Sequence, residues 1–466
     1  MIEDYEHLIV EKTSTISETM REMDQNGLGT VFITEDGKLF GVVTDGDIRT
    51  AIIEGEKLSS PISKITNENP TVLYETDDFQ AKVSEFAKDE GILRKVPRRG
   101  ALKIPVLDSE KRIKDVFFFY PGEAVPKLHK KPKRSESVKS VLIVGGAGYL
   151  GSMICKKLLE KGYFVRVLDN LMFGDKGITS MNGNENFELI KGDMRNVNDL
   201  VEAIKGVDAV IHLAGLVGDP ACAVKPQHTI EVNFFASKML AEICKYNQIN
   251  RFIFASSCSV YGSSSDERML DENSELNPVS LYAEMRLLIE DHLIALKDEN
   301  FLPVIFRMPT LFGASDRMRF DLVVNLFVAK AHNGEEITIF GGDQWRPFLH
   351  VSDAADYYVK ALELPIREVG GRIYNIGSEE LNKKITEIGV AVQKAFPSSK
   401  VRVDEAEADK RNYRVEFSKA KGVFGITPKF SIESGVKEMA GIDKAILEDY
   451  ANDIYSNLKI TKANVG

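Results

Sequence analysis

Ser140-Val141-Leu142-Ile143-Val144-Gly145-Gly146-Ala147-Gly148-Tyr149-Leu150-Gly151 carries the clearest fold signal in this chain of 466 residues. Its first five residues form a short apolar run rich in β-branched side chains, which is typical of a buried strand. The glycines that follow are spaced G-x-x-G-x-x-G and lead into an amphipathic pattern that continues to Gly162. A strand, a glycine turn and a helix in this order open a dinucleotide-binding fold, whose helix N-terminus faces a pyrophosphate. The predicted cofactor contacts in this stretch are Gly145, Gly148, Tyr149, Leu150 and Gly151.

An acidic residue ends the next predicted strand. Residues 164–168 are FVRVL, and Asp169-Asn170 follow them, at the distance from the glycines that a dinucleotide fold requires. A carboxylate in this position accepts both hydroxyls of the adenosine ribose and repels a 2′-phosphate. The sequence therefore favours NAD over NADP and adds Asp169 and Asn170 to the predicted cofactor contacts.

The composition limits the partners and the compartment. The chain is 43% apolar with a formal net charge of −10, so we expect neither nucleic acid nor an anionic membrane as a partner. The four cysteines lack the spacing of a metal site, and we expect free thiols and no metal. The N-terminus is acidic and has no apolar segment, which predicts a cytoplasmic protein.

Three regions are predicted along the chain. Residues 1–125 contain two half-repeats, each with an amphipathic helix, a strand, a turn and a second strand. Residues 126–139 form a basic linker, which we interpret as a solvated tether. Residues 140–466 form the dinucleotide-binding domain and a substrate-binding part.

The first half-repeat contains GLGTVFITEDGKLFGVVTDGDIRTA at 27–51, which resembles the first repeat of a CBS-domain pair. That family binds adenosine nucleotides, and a T-x-x-D motif holds the ribose. Thr44 and Asp47 match this motif, so the resemblance implies a site for AMP, ADP or ATP. The second repeat has FFFY at 117–120 in place of the motif, and a purely dimerising module is the alternative.

From about residue 140 to residue 457 the chain resembles the extended short-chain dehydrogenase/reductases, the NAD-dependent nucleotide-sugar epimerases and dehydratases. GDMR at 192–195, HLAG at 212–215 and Asn233 carry the resemblance together with the glycine turn. It implies an α/β fold, a Rossmann-type doubly wound parallel sheet with a smaller C-terminal substrate subdomain, preceded by the α+β CBS pair. The further cofactor contacts that it implies are Asp193, Met194, Leu213, Ala214 and Gly215.

The catalytic residues follow from the same resemblance. The stretch 252–262, FIFASSCSVYG, implies Ser257 as the active hydroxyl, and YAEMR at 282–286 occupies the family's Y-x-x-x-K position. A phenol ordinarily loses its proton near pH 10, so a tyrosine base needs a cation, which position i+4 of a helix supplies on the same face. Here the cation is Arg286 instead of lysine. We expect Tyr282, Arg286 and Ser257 to be catalytic, with Tyr282 and Arg286 also touching the cofactor.

A nucleotide-diphosphate sugar is the implied substrate, because arginines bind phosphate oxygens in pairs and several lie late in this acidic chain. Asp219 and Cys222 lie on a loop that faces the sugar in the family. The predicted substrate contacts are Ser257, Cys258, Arg317, Arg319, Asn325, Arg346 and Arg411.

The resemblance implies hydride transfer to NAD and a transient keto-sugar. Family dehydratases have Asp-Glu after the active hydroxyl and decarboxylases have Glu, whereas this chain has Cys258-Ser259. We therefore predict a 4-epimerase. The two resemblances further imply adenylate regulation, a role in surface-glycan biosynthesis, and a homodimer or homotetramer. A dehydratase, a keto-reductase, or a binding protein that has lost catalysis are the alternatives.

Overall fold

A computed structural model describes residues 8–26, 29–77, 82, 85–86, 88–89, 91–92, 102–119, 138–263, 268–298, 300–404 and 411–465. The chain divides into two compact units, 1–134 and 135–466. Residues 126–137 of the predicted linker, with all of its basic run, lie outside the described residues.

The first unit repeats one arrangement twice. In each half a short strand pairs in parallel with a longer one, which then pairs in antiparallel with the next, giving the sheet orders β1-β2-β3 and β4-β5-β6. This confirms the predicted duplication. The elements are β1 (Ile9–Glu11), α1 (Ile16–Asn26), β2 (Thr30–Glu35), β3 (Lys38–Thr44), α2 (Asp45–Ile53), a 3₁₀ turn (Ile62–Ile65), β4 (Leu73–Tyr74), β5 (Leu102–Leu107) and β6 (Ile113–Phe119).

The T-x-x-D motif begins helix α2 as a capping box. The Asp47 carboxylate accepts from the backbone N–H of Thr44 at 2.8 Å and from its hydroxyl at 2.6 Å. The Thr44 hydroxyl accepts in turn from the Asp47 N–H at 3.4 Å. The two predicted adenylate ligands are thus fixed at a helix start, where unpaired backbone N–H groups attract anions.

The second unit is built on a seven-stranded parallel sheet of order β17-β13-β11-β10-β7-β8-β9. The chain runs from β7 to one edge and then returns to the other side, so the order reverses between β7 and β10. This doubly wound topology confirms the Rossmann-type prediction and puts a crevice at the carboxyl ends of these strands. The sheet strands are β7 (Ser140–Val144), β8 (Phe164–Asp169), β9 (Phe187–Lys191), β10 (Ala209–His212), β11 (Arg251–Ser257), β13 (Val304–Met308) and β17 (Arg372–Asn375).

Both faces of this sheet are buried, as a parallel sheet requires. Val141 and Ile143 of β7 belong to one hydrophobic cluster, and Leu142 and Val144 belong to another on the opposite face. The helices that cover the faces and build the rest of the unit are α3 (Tyr149–Glu160), α4 (Val197–Ala203), α5 (Asp219–Val224), α6 (Pro226–Ile230), α7 (Ser237–Tyr246), α8 (Leu281–Leu296), α9 (Val323–His332), α10 (Val351–Glu363), α11 (Ile366–Val369), α12 (Ile385–Ala395), α13 (Ser418–Phe424), α14 (Ile432–Ala440), α15 (Lys444–Glu448) and α16 (Asn457–Val465).

A smaller set of strands forms the predicted C-terminal subdomain. They pair as β14-β16-β18, β15-β19 and β12-β20. Their bounds are β12 (Met269–Leu270), β14 (Thr310–Phe312), β15 (Ile337–Phe340), β16 (Trp345–His350), β18 (Asn382–Lys384), β19 (Val401–Asp404) and β20 (Arg414–Val415). Among the described residues of this unit, 3₁₀ turns lie at Thr179–Met181, Cys258–Tyr261, Glu379–Leu381 and Asp453–Tyr455, and a π-helical turn lies at Glu231–Ala236.

Membrane-spanning helices and metal-ligand clusters are absent from the described residues. None of the helices they form is both long and apolar enough to cross a membrane. In the same part of the chain, no three His, Cys, Asp or Glu side chains cluster as metal ligands.

Candidate active site

A cavity of about 750 Å³ opens at the carboxyl ends of the sheet strands and continues towards the C-terminal subdomain. Most of the residues predicted as ligands line it, although they come from distant parts of the chain. The predicted residues in its lining are Gly145, Gly148, Tyr149, Leu150, Gly151, Asp169, Asn170, Asp193, Met194, Leu213, Ala214, Gly215, Ser257, Tyr282, Arg286, Arg317, Arg319, Arg346 and Arg411.

The glycine turn has no room for side chains. Gly145 has φ +88°, and a Cβ built on it would lie 2.7 Å from the backbone nitrogen of Ala214. A Cβ on Gly151 would lie 2.4 Å from the carbonyl oxygen of Gly145. Gly148 precedes α3 without a side-chain cap, so the first N–H groups of the helix are left for an anion in the cavity.

The carboxylate of Asp169 is fixed against the glycine turn. It accepts from the N–H of Ala147 at 3.0 Å and from the N–H of Leu171 at 2.9 Å. Burial raises the pKa of Asp169, and the two N–H groups partly offset that effect. The carboxylate therefore faces the cavity from a rigid position at the end of β8, where an adenosine ribose would lie.

Asp193 is held by the arginine two residues later. Its carboxylate accepts from Arg195 Nη2 at 2.6 Å and from the Arg195 backbone N–H at 2.9 Å. These hydrogen bonds lower the pKa of Asp193. The sequence prediction named Asp193 and Met194 here but omitted Arg195, which also lines the cavity.

Tyr282 and Arg286 lie one helical turn apart on α8, as their spacing predicts. The guanidinium carbon of Arg286 lies 5.1 Å from the ring centroid of Tyr282 and 5.3 Å from that of Phe254. Arg286 is 2% exposed, and a Cβ on Gly215 would lie 2.9 Å from its Nη2. The absence of a side chain at Gly215 thus leaves the space that the guanidinium fills.

Arg286 also provides a test of whether a dinucleotide fits. Its Nε and Nη1 are buried and have no hydrogen-bond partner in the described part of the chain. Leaving charged donors buried and unpaired is costly, so we expect oxygen acceptors, from a ligand or from water, beside them. A dinucleotide meets this need, because its pyrophosphate would lie at Gly145–Gly151 and its nicotinamide ribose would reach Arg286.

Ser257 ends β11 and presents its hydroxyl to the cavity. Its Oγ accepts from the Ser259 hydroxyl at 2.9 Å and from the Ser259 N–H at 3.1 Å. Two donors from Ser259 therefore fix the position of the oxygen, while the Ser257 proton is left to donate.

A buried ion pair beneath the site was missed by sequence reasoning. Glu290 Oε2 and Arg307 Nη2 lie 2.7 Å apart, with the side chains 1% and 2% exposed. The Ser256 hydroxyl donates to the same carboxylate, and Arg307 Nη1 donates to the Tyr261 hydroxyl at 3.0 Å. This network ties α8, which carries Tyr282, to β11 and β13. Its sequence signal was a glutamate eight positions after Tyr282, on the apolar side of α8.

The predicted phosphate-binding arginines lie on several loops. Arg346 donates to the backbone oxygens of Trp345, at 2.8 Å, and of Arg411. Arg411 pairs with Asp219 at 3.1 Å, and Asp219 accepts from the Ser280 hydroxyl at 2.8 Å. Since Ser280 caps α8 two residues before Tyr282, Asp219 links Arg411 to the start of the catalytic helix. Arg319 pairs with Asp321 at 2.9 Å.

Three predicted substrate-side residues are not brought into the cavity. Cys258 is fully buried, with its thiol directed at the Arg307 carbonyl, because the chain turns into the core after Ser257. Asn325 is also fully buried, and its amide bonds the Gly313 N–H, the Tyr149 hydroxyl and the Arg319 carbonyl. Cys222 is buried beneath the loop and donates to Leu216. The predicted contacts of these three residues with the substrate are therefore wrong, and their side chains have structural roles.

Comparison with known proteins agrees with this geometry. The model of the "NAD dependent epimerase/dehydratase family" matches residues 141–377, and that of the CBS domain matches residues 2–54. UDP-glucuronic acid decarboxylase 1 of Danio rerio is 30% identical over 331 residues, which are 68% of this chain and 75% of that protein. UDP-glucose 4-epimerase of Yersinia pestis is 32% identical over 262 residues, 51% of this chain and 77% of that protein.

A solved structure has the same fold. UDP-glucuronic acid 4-epimerase from Bacillus cereus, in complex with UDP-glucuronic acid and NAD, gives a TM-score of 0.59 at 27% identity, covering 68% of this chain and all (100%) of that one. The chain belongs to the NAD dependent epimerase/dehydratase family, and its cofactor is NAD.

Proposed function

We propose that this protein is a 4-epimerase of a UDP-sugar. The family and the dinucleotide cavity support NAD-dependent chemistry. The similar proteins named as epimerases and as a decarboxylase all carry UDP-sugar names, which supports uridine as the nucleoside.

In the proposed reaction the cavity side chains hold and move one proton. Ser257 donates to a ring hydroxyl, and Tyr282 removes the proton of that hydroxyl while Arg286 stabilises the phenolate. When bound, NAD supplies a hydride acceptor and donor. Once the ring of the oxidised sugar has turned over in the cavity, Tyr282 would return the proton to the same oxygen. Arg346 and Arg411 hold the diphosphate during the turn.

The observation that carries the choice of epimerisation concerns the carboxylates in the cavity lining. Elimination of water requires an additional acid or base, and the family's dehydratases and decarboxylases place a carboxylate directly after the active hydroxyl. In this chain that position is Cys258, whose thiol points into the core. Each carboxylate that lines the cavity among the described residues is already engaged, with N–H groups or with a cation: Asp169, Asp193, Asp219 and Asp321.

Binding without turnover is a second candidate. The observation in its favour is Arg286, since an arginine stands where the family has lysine. An arginine cannot relay a proton as a lysine does.

The test is to incubate the purified protein with UDP-, GDP- and dTDP-sugars and to follow the ring protons by NMR. We expect one UDP-sugar to interconvert with its C4 epimer without release of water or carbon dioxide. Tyr282→Phe should lower the rate by about 10²- to 10⁴-fold, and Tyr246→Phe, on an exposed tyrosine, should leave it unchanged. Loss of carbon dioxide would indicate a decarboxylase, and no conversion of any sugar would support the binding protein.

We further propose adenylate binding at Thr44 and Asp47, assembly into a homodimer or homotetramer, and a cytoplasmic role in surface-glycan synthesis. The CBS match over residues 2–54 supports the first of these.

A further inference from the structure

The loop between β14 and α9 carries Arg317 and Arg319 into the cavity, and the C-terminal segment holds this loop in place. The backbone N–H of Phe320 donates to the Tyr455 carbonyl at 3.1 Å. The two rings pack edge to face, with centroids 5.3 Å apart. The family match ends at residue 377, so the segment that holds the loop lies outside it.

Asn457, the first residue of α16, makes three contacts that converge on the cavity. Its Oδ1 accepts from Arg317 Nη2 at 2.9 Å, and its Nδ2 donates to the Val217 carbonyl at 3.3 Å. Its backbone N–H donates at 3.1 Å to Asp321, the partner of Arg319. Asn457 is 5% exposed and lines the cavity. One amide therefore orients Arg317 and ties it to the loop that follows β10.

Arg317 lies on the dinucleotide side of the cavity. Its guanidinium carbon is 4.5 Å from the ring centroid of Phe173, in the loop after β8. A Cβ on Gly177 would lie 3.1 Å from Arg317 Cβ and 2.5 Å from the carbonyl oxygen of Ala147, in the glycine turn. Arg317 thus packs against the segments that surround the expected pyrophosphate.

Arg317 is buried with one unused donor. The residue is 5% exposed, and its Nε has no hydrogen-bond partner among the described residues. Burial, together with the nearby Arg319, lowers the pKa of Arg317 to about 10, although Asp321 and Asp169 act in the opposite direction. A buried guanidinium with an unused donor is stabilised when a phosphate accepts from it.

We propose that Arg317 binds the pyrophosphate of NAD and that Asn457 is the positioning residue that aims its guanidinium. The sequence assigned Arg317 to the sugar nucleotide instead. Both ligands carry a diphosphate, so the experiment must separate them.

The test measures two affinities and one occupancy in the full-length protein. NADH binding is followed by nicotinamide fluorescence, UDP binding to the NAD-loaded protein by calorimetry, and the NAD retained after purification by chromatography of the denatured sample. Arg317→Gln should lower the affinity for NADH by about 10- to 100-fold and the affinity for UDP by less than about 3-fold. This is the result expected when a charged hydrogen bond to one ligand is lost. Arg317→Lys should fall between Arg317→Gln and the wild type, and Arg372→Gln, on an exposed arginine of the same unit, should match the wild type.

Asn457→Ala tests the positioning role. As a single substitution it should lower the affinity for NADH by about 3- to 10-fold. In a protein that already carries Arg317→Gln, it should cause no further loss of affinity. Additive losses, or a loss of UDP affinity with NADH affinity retained in Arg317→Gln, would overturn the proposal. Unchanged affinity for both ligands would do so as well. Thermal unfolding of each variant checks that the protein has folded.

Discussion

Arg286 is held by aromatic rings rather than by carboxylates. Its guanidinium lies against Phe254 and Tyr282, and two of its nitrogens, Nε and Nη1, are left to donate to a ligand. A planar guanidinium stacks on such rings, whereas an ammonium group is a compact, strongly hydrated charge. The site is therefore shaped for arginine, and Gly215 provides the space.

We predict that Arg286→Lys keeps the charge but lowers the activity. The lysine leaves part of the space beside Gly215 empty and contacts Tyr282 with a smaller group, so turnover should fall by roughly 10-fold. Steady-state kinetics with the epimerised sugar measures the change, and NADH affinity shows whether the cofactor is also affected. A large gain in turnover would mean that the native arginine limits catalysis.

The direction of single side chains limited what the sequence could predict. Ser257 and Cys258 are adjacent, and the family pattern indicated the region of both. The turn after β11 directs the first side chain to the cavity and the second into the core. Such a difference depends on the local backbone, which a motif does not specify.

The catalytic helix α8 is anchored by a charged pair. Glu290 and Arg307 are almost completely buried and form an ion pair. Glu290 also accepts from the Ser256 hydroxyl, and Arg307 donates to the Tyr261 hydroxyl. Burial acts to lower the pKa of Arg307, but Glu290 raises it above its ordinary value. The pair thus keeps both charges inside the unit.

We predict that Glu290→Gln destabilises the second unit by about 3–5 kcal/mol, because a buried guanidinium loses its counter-charge. Urea unfolding monitored by circular dichroism gives the free energy of unfolding. Glu284→Gln, on the exposed side of the same helix, is the matched control and should change it little. Equal effects of the two substitutions would exclude a special role for the buried pair.

We expect His212, at the end of β10, to make the unit less stable in acid. Its Nε2 hydrogen-bonds the Ser237 hydroxyl at 2.8 Å. Burial, and then Arg286, lowers the pKa of His212 to about 3. An unfolded histidine binds a proton near pH 6.5, so this group stabilises the fold fully above that pH. The stabilisation is lost as the pH falls from about 6.5 towards 3.

His212→Phe should therefore make unfolding less dependent on pH in this range. Removing one such group lowers the dependence of the unfolding free energy on pH by up to about 1.4 kcal/mol per pH unit. Unfolding temperatures of the variant and wild type between pH 7 and 4.5 measure the difference. The difference between the two unfolding temperatures should become smaller as the pH falls. A difference that stays constant would contradict the lowered pKa of His212.

The whole molecule consists of two units, and different features of the sequence identify each of them. The Rossmann-type fold class was predictable, because the turn chemistry of the glycines is a local property of the sequence and the family resemblance implied the rest of the sheet. The contacts of Glu290 and Asn457 were not, since each joins elements far apart in the chain. The duplication in the first unit was visible from its repeated strand pairs.

For the complete protein we predict that adenylates bind to the first unit and change turnover. Calorimetry with AMP, ADP and ATP measures binding. Asp47→Ala should abolish it, and the substitution also removes the carboxylate half of the capping box of α2, at a cost of about 1 kcal/mol in stability. Glu54→Ala, on an exposed residue at the end of α2, serves as the control. Constant turnover and assembly across physiological adenylate concentrations would refute regulation.

Asn457 has a consequence for how the protein is made. The cavity is lined by Gly145 early in the second unit and by Ser456, Asn457 and Leu458 near its end. Because ribosomes synthesise chains from the N-terminus, this wall emerges last. A nascent chain that has not yet exposed residues 456–458 should therefore bind NAD more weakly than the folded unit, because its glycine turn is present without the residue that aims Arg317.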